Sequence, residues 1–288
     1  MPMPRPFRIA PLLAAAALIA AAGAASGAPE PPAGSPPSRA QVDENPCLTE
    51  QASLLRCPDL LMKRPWGLDA VRRGKRRLLR AGNSIDSVGR GPTELFGVRD
   101  GPRTMRARQR IYKRAGGRIS VTTGARLQFK LAHLEKRWWK FHNAARFELW
   151  RLDADGGRKT RVRVGPKVSY CLRDLERTRP RLPRSPRKEV YPACSTSPLK
   201  EKVTLGTSVG WSDIYPPTYP EQWIDVTGLR GCFAYVHIAD PLNGIYESNE
   251  DNNEAQVIVR LPWRGTGKRG CPGRSYGPSP RGQAGPYE

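Results

Sequence analysis

Hydrophobic and polar residues alternate with a period of two along several short segments of the chain. Such segments are 126–131, 161–164, 232–238 and 257–261. Turn-forming sequences separate them, for example ADGG at 154–157 and PLNG at 241–244. A period of two is typical of β-strands with one buried face, and no long segment has the helical period of 3.6. The pattern predicts an all-β fold, an antiparallel β-sandwich with long loops.

One strand of this pattern contains a histidine. Phe233, Tyr235 and His237 alternate along the segment and therefore share one face of the predicted strand. A metal-binding histidine needs other ligands beside it, and this face offers aromatic rings instead. We therefore expect His237 to be a packed core residue.

The first residues have the order of a secretory signal peptide. Arg5 and Arg8 provide a short positive region, an Ala/Leu-rich run follows, and small residues end it. This order predicts a signal peptide over residues 1–28 and export of the mature chain. A membrane anchor is the weaker alternative, because the run is short and mostly alanine. The expected location is extracellular, either free or associated with the cell wall.

Composition divides the remaining chain into three parts. Residues 29–52 begin with PEPPAGSPPS and are predicted to form a Pro/Gly-rich linker. Residues 53–263 contain the alternating segments and are long enough to bury the core of one domain. Residues 264–288 are rich in Gly, Pro and Arg, and are predicted to form a flexible tail that Cys271 could attach to the domain.

Export of the chain would place its six cysteines in an oxidising compartment. In an oxidising compartment an even number of cysteines indicates disulfides, and the absence of a CxxC motif argues against a zinc ribbon or a redox site. Six cysteines allow fifteen pairings, among which the sequence alone cannot choose. Spacing favours Cys47–Cys57, Cys171–Cys194 and, by elimination, Cys232–Cys271. The predicted sandwich is thus stapled by disulfides.

The chain is strongly basic. Its formal net charge is +23, and loss of the signal peptide would leave about +21. The basic residues are dispersed over runs such as RRGKRRLLR (72–80), RARQRIYKR (106–114) and RTRPRLPRSPRK (177–188). Such a surface should bind polyanions in a salt-dependent way. Anionic cell-wall polymers, lipid head groups or extracellular DNA are candidate partners; a solvated basic surface without a partner is the alternative.

Four motifs occur in order along the chain. They are RCPDLLM (56–62), the segment 133–149 ending in ARFEL, GPKVSYCLRD (165–174), and SDIYPPTYPEQWIDVTGL (212–229) with ESNEDNNEA (247–255). Together they resemble the lysyl oxidase family in its bacterial secreted form. The resemblance implies a reaction in which primary amines, notably the ε-amine of peptidyl lysine, are oxidised to aldehydes.

In that family, copper and a quinone made from the protein itself perform the oxidation. A tyrosine is oxidised in a copper-dependent step and cross-linked to a lysine, giving lysine tyrosylquinone. By resemblance, the lysine is Lys167 and the tyrosine is Tyr215. Either residue alone is unremarkable; their joint presence at the motif positions is the informative observation.

The copper site is where the sequence departs from the family. The family's three histidine ligands align with Lys136, Trp138 and Lys140. A lysine can coordinate a metal only after losing its proton, and an indole N–H has no lone pair to give. The remaining histidines, His133 and His142, lie outside the ligand positions. A site rebuilt from these two and His237 is an alternative that needs a different geometry.

A calcium site is also implied by the resemblance, and here its residues are retained. The expected ligands are Asp59, the Leu60 carbonyl, Glu247, Asn249, Asn252 and Asn253. All are hard oxygen donors, as calcium requires. The alternative is a metal-free Asn/Asp-rich turn that caps its own backbone.

These observations support one hypothesis for function and two alternatives. The favoured hypothesis is a secreted lysyl-oxidase-like pseudoenzyme that has lost its copper ligands. The first alternative is an active amine oxidase with an atypical metal site, acting on a lysine-containing protein or another primary amine. The second is a basic polyanion-binding protein of the cell envelope.

Overall fold

A computed structural model describes residues 42–131, 136–265 and 270–279. The predicted signal peptide, much of the linker and His133 lie outside these residues. The described chain contains the 3-10 helices Pro46–Leu48 and Glu50–Leu54 and seventeen strands. The strands are β1 (Leu55–Arg56), β2 (Leu60–Met62), β3 (Trp66–Arg73), β4 (Arg76–Ser87), β5 (Thr93–Gly101), β6 (Thr104–Lys113), β7 (Arg118–Val121), β8 (Arg126–Leu131), β9 (Arg137–His142), β10 (Ala145–Leu152), β11 (Arg158–Val164), β12 (Ser169–Tyr170), β13 (Lys202–Thr207), β14 (Ser212–Tyr215), β15 (Trp223–Asp225), β16 (Gly231–Ala239) and β17 (Glu254–Leu261).

The prediction of an all-β, antiparallel fold is confirmed. The first sheet has the strand order β12-β9-β8-β6-β5-β13, and β1 and β7 also pair with β6. The second sheet has the order β11-β10-β16-β17. In the third, β4 is central: it pairs with β14, β15, β2 and β3. The strand pairs between named strands are antiparallel.

All three sheets contribute to one main hydrophobic core. Leu79 comes from β4, Leu127 and Phe129 from β8, and Phe233 from β16. The predicted alternation of β8 holds at Leu127 and Phe129, whereas Leu131 is 48% exposed at the strand end. Each fully buried side chain of this size contributes about 1.5–3 kcal/mol, so the core is the main stabilising element.

The second sheet is also covered on its outer face. Ala234 and Val236 pack there against Ile258 and Cys271. Residues 270–279, for which the sequence predicted a flexible tail, lie on this face, where Tyr276 exchanges backbone hydrogen bonds with Gln256. The predicted linker likewise ends earlier than expected, since the two 3-10 helices lie mostly within it. Local composition did not reveal these tertiary contacts at either end.

Three disulfides stabilise the fold. They join Cys47 to Cys57, Cys171 to Cys194, and Cys232 to Cys271. This is the pairing that cysteine spacing favoured among the fifteen possibilities. Among the described residues, no helix is long and apolar enough to cross a membrane.

Candidate functional site

The structure brings Lys167 and Tyr215 together. Lys167 lies between β11 and β12, where the N–H of Gly165 donates to the Phe147 carbonyl and fixes the chain against β10. Tyr215 is the last residue of β14 and lies opposite Asn83 on β4. As a result, Lys167 Nζ is 4.4 Å from the centroid of the Tyr215 ring.

Two further tyrosines surround the same amine. Lys167 Nζ is 4.9 Å from the Tyr170 ring centroid and 4.7 Å from that of Tyr219. The Tyr215 ring contacts both of the others, at centroid distances of 4.7 and 4.9 Å. We call these three rings the tyrosine cage. The sequence did not single out Tyr170 or Tyr219, although both lie within the motifs around the predicted pair.

Burial moves the ionisable groups of the cage toward their neutral forms. Lys167 is only 1% exposed, and burial, assisted by the nearby Lys140 ammonium, lowers its pKa to about 7. Burial raises the pKa of Asp213 to about 8. The Tyr215 hydroxyl donates to Asp213 Oδ2 at 3.2 Å, and burial raises the Tyr215 pKa well above its usual value. Lys167 thus changes between ammonium and neutral amine near pH 7 and lies beside a protonated Tyr215 phenol.

Two of the three predicted copper positions lie on β9, and the third immediately precedes it. Lys136 is exposed just before the strand, Trp138 is half-buried, and Lys140 is buried. Trp138 and Lys140 lie on the same face of the sheet as Lys130, which is the β8 residue paired with Trp138 of β9. Burial lowers the pKa of Lys140, and its charge acts on Lys167. This face therefore presents amines and an indole where copper would need imidazoles.

Lys130 and Glu221 form an ion pair at the edge of this face. Lys130 Nζ lies 3.5 Å from Glu221 Oε1. The charge of Glu221 raises the pKa of Lys167 and that of Lys130 lowers it. The charges of Glu221 and Asp213 raise the pKa of Lys140 against the larger effect of burial. The sequence did not single out Lys130, Asp213 or Glu221. Lys130 comes from β8, whereas Asp213 and Glu221 come from the segment 212–229.

The two described histidines have different surroundings. His142 is half-buried on β9, with Nδ1 3.4 Å from Ser169 Oγ. His237 is fully buried, as expected for a packed residue, and its ring stacks on Phe147 at a centroid distance of 3.8 Å. Burial lowers the pKa of His237 to about 3, so the ring is neutral. Within the described residues, no group of three or more His, Cys, Asp or Glu could hold a metal ion.

Most of the predicted calcium residues come together between the start and the end of the domain. Asn252 Nδ2 donates to Asp59 Oδ1 at 2.7 Å, and Asn253 Nδ2 donates to Glu247 Oε1 at 2.8 Å. The Leu60 N–H donates to the other oxygen of Glu247. The Asn252–Asp59 and Leu60–Glu247 contacts join residues nearly two hundred positions apart. We call this group the acidic junction.

Asn249, an expected calcium ligand, lies outside the acidic junction, and its neighbour Glu250 lies within it. Asn249 is exposed, and its side-chain oxygen accepts from the Asp251 N–H at 3.0 Å. Glu250 instead joins the acidic junction, accepting from the Glu247 N–H at 3.2 Å and from Asn253 Nδ2 at 3.4 Å. Which of these two side chains turns inward depends on the loop conformation, so spacing alone did not identify Glu250.

The chemistry of the acidic junction fits a hard cation. Burial raises the pKa of Glu247 well above its usual value, and the pKa values of Asp59 and Glu250 are also raised by burial. The side-chain oxygens of Asn252 and Asn253 are buried without a partner among the described residues. The carboxylates alone do not form a three-ligand group, so a cation here would depend on amide and main-chain oxygens as well.

Comparison with known proteins gives one match. The family model described as lysyl oxidase matches residues 103–267, which is more than half of the chain. The matched range includes the tyrosine cage, β9 and the 247–253 part of the acidic junction. A comparison with curated proteins gave no match.

Proposed function

Since this chain belongs to the lysyl oxidase family, we propose that it is a secreted member that retains the quinone-forming pair but does not oxidise amines. The family reaction is copper- and quinone-dependent oxidation of lysine ε-amines and other primary amines. The observation that carries the proposal is Lys140, a buried amine at a copper-ligand position whose charge acts on Lys167.

The donor set argues against copper at the aligned positions. Copper(II) is bound by imidazole nitrogens in a tetragonal arrangement. Lys136 and Lys140 would each have to lose a proton to coordinate, and the Trp138 indole nitrogen has no lone pair. Copper drives both the formation and the reoxidation of the quinone in this family. Without it, Lys167 and Tyr215 would remain unmodified.

Electrostatics supports the same conclusion. The charges of Lys140 and Lys130 lower the pKa of Lys167, and the charge of Lys130 lowers that of Lys140. The acidic groups that raise these two pKa values are Glu221 and Asp213. A metal cation and a cationic amine substrate would both be repelled by these lysines. The site is therefore better suited to holding its own lysine than to admitting another.

A structural role accounts for the retained pair. Three aromatic faces surround Lys167 Nζ, and a desolvated cation–π contact contributes about 2 kcal/mol or more. Tyr215 in turn donates to Asp213 on the same strand and packs against the other two rings of the cage. We infer that the pair persists as part of the core.

Production of the mature chain in the presence of copper tests the proposal. We expect no bound copper, no redox-cycling quinone stain and no peroxide release from a primary amine. The intact mass should equal that of the unmodified chain less six hydrogens, because only the three disulfides are formed. Stoichiometric copper, with a stained band that disappears in Tyr215→Phe, would instead establish an active oxidase with an atypical metal site.

Secretion is part of the proposal. Disulfides persist in oxidising compartments, and this fold contains three of them with no free cysteine among its described residues. The mature chain is therefore assigned to the extracellular space or the cell wall. Fractionation of the producing cells, with an antibody against the domain, tests this; a chain confined to the reducing cytosol would contradict it.

We also propose that calcium binds at the acidic junction and has a structural role. The unpartnered oxygens of Asn252 and Asn253 support this, because buried polar atoms normally have partners. A divalent cation would be held by Asp59, Glu247, Glu250 and these amide oxygens. The cation would join residues 58–60 to the end of the domain, and its charge would offset the free-energy cost of burying the Glu247 carboxylate.

Chelation tests the calcium proposal. Removing calcium should lower the melting temperature of the wild type and of Asn249→Ala, whose side chain lies outside the junction. The melting temperature of Asn253→Ala should be low and insensitive to calcium. In chelator, stability should be fully present below the usual carboxyl pKa and be lost as pH rises through the raised pKa of Glu247. A wild-type melting temperature unchanged by chelation would exclude the site.

A further inference from the structure

The turn between β3 and β4 carries a dense group of exposed cations. Residues 72–77 read RRGKRR, and all six are exposed. Gly74 has a φ of +59°, a conformation that glycine adopts without strain and that closes the tight turn. We call these residues the basic hairpin. Among the basic runs of the sequence, this one is a continuous exposed turn of two paired strands.

The basic hairpin places like charges directly opposite each other. Arg72 pairs with Arg77 and Arg73 pairs with Arg76 in the β3–β4 register. Directly opposed like charges destabilise a β-ribbon. Arg76 is partly neutralised by Asp225 at 2.7 Å. Within the described part of the chain, Arg72, Arg73 and Lys75 have no acidic partner, so the charge of the ribbon remains available to an external anion.

A small pocket lies at the base of the basic hairpin. Its cavity volume is about 140 Å³, and its lining residues are Arg77, Val226, Gly228, Leu229, Arg230 and Pro262. Arg77 is held in place because its Nη2 donates to the Trp263 carbonyl at 2.8 Å. A water molecule occupies about 30 Å³ of liquid, so the pocket has room for an anionic group such as a phosphate.

We propose that the basic hairpin and the Arg77–Arg230 pocket together bind a flexible linear polymer with repeating phosphate groups. One phosphate lies in the pocket, and its neighbours follow the ribbon toward Gly74. Arginine predominates among these cations, and its planar guanidinium binds phosphate oxygens in pairs. The proposal does not depend on the absence of amine oxidation, because this surface is separate from the tyrosine cage.

The geometry favours a polymer over a membrane surface. Successive side chains of a β-ribbon point to opposite faces, so the cations of residues 72–77 project on both sides. A flat bilayer could contact only one of these sides, whereas a flexible chain can follow both. The segment also lacks an apolar side chain that could enter a bilayer. A flexible anionic polymer can therefore neutralise more of these cations than a flat bilayer can.

Binding of linear inorganic polyphosphate to the mature protein, measured over a range of salt concentrations, tests the proposal. We expect Arg72→Gln/Arg73→Gln/Lys75→Gln to weaken binding at least about 10-fold near 0.1 M salt and to reduce the salt slope by about 2. The matched control is Arg181→Gln/Arg187→Gln/Lys188→Gln, which removes three exposed cations from a different loop. It should bind nearly as the wild type does.

Two further measurements complete the test. Arg230→Gln should weaken polyphosphate binding several-fold, since it removes one cation of the pocket; unchanged binding would exclude the pocket. Equal losses in the two triple variants would show that net charge alone is responsible and would overturn the proposal. Binding to anionic phospholipid vesicles but not to polyphosphate, abolished by the hairpin variant, would identify a membrane surface instead.

Discussion

Replacement of Lys167 by methionine should stabilise the protein in mild acid. Methionine has a similar length and makes favourable contacts with aromatic rings, so the tyrosine cage stays filled. The wild-type amine has a pKa of about 7 in the fold and about 10.5 in the unfolded chain. Below pH 7 the lysine is protonated in both states, so the folded chain holds a buried ammonium and the full destabilisation from the lowered pKa is present.

The magnitude follows from these pKa values. A difference of one pKa unit corresponds to about 1.4 kcal/mol, so burial of the lysine costs at most about 5 kcal/mol below pH 7. Contact of the ammonium with the three rings recovers about 2 kcal/mol. Lys167→Met should therefore raise the free energy of unfolding by about 3 kcal/mol at pH 6, or the melting temperature by roughly 6–12 °C.

The pH dependence distinguishes this explanation from ordinary repacking. The advantage of Lys167→Met should shrink as pH rises from 7 to 10.5, because over this range the folded lysine is neutral while the unfolded lysine is still protonated, so rising pH stabilises the wild-type fold. It should shrink further above about pH 8, where Asp213 ionises without its counter-charge. Guanidinium denaturation at several pH values measures the difference, with Lys188→Met as an exposed control.

Two results would refute the reasoning. One is a Lys167→Met protein that is no more stable than the wild type at pH 6. The other is a stability difference that does not change with pH. A Lys167–Tyr215 cross-link in the wild type would produce the second result, since a cross-linked lysine has no free amine to titrate. The experiment therefore also bears on the proposed absence of oxidation.

Two other perturbations have defined outcomes. His237→Phe should reduce the acid sensitivity of folding: burial holds the His237 pKa near 3, so the wild type should lose about 2 kcal/mol by pH 5 as the unfolded histidine protonates. Equal acid sensitivity in both proteins would contradict this. Cys232→Ser/Cys271→Ser should lower the free energy of unfolding by about 4 kcal/mol, given the separation of 39 residues, and should increase hydrogen exchange at 270–279. Unchanged exchange there would show that other contacts hold the segment.

The sequence alone determined the fold class and the resemblance to the family. Alternation with a period of two is a local property, and it identified the strands because each strand buries one face. The ordered motifs predicted Lys167 and Tyr215, and they predicted most of the acidic junction. The structure brings Lys167 and Tyr215 into contact, while their roles stay predictions that the proposed experiments test.

Only the tertiary structure decided how these residues are grouped. Tyr170 and Tyr219 surround Lys167 because the segments 167–170 and 215–219 meet there, and Glu250 rather than Asn249 turns toward Glu247 because of the loop conformation. The pocket beneath the basic hairpin likewise joins residues about 150 positions apart. Burial, which sets the pKa of Lys167, depends on all of these neighbours together. Such properties arise from contacts between distant segments, and no local pattern along the chain encodes them.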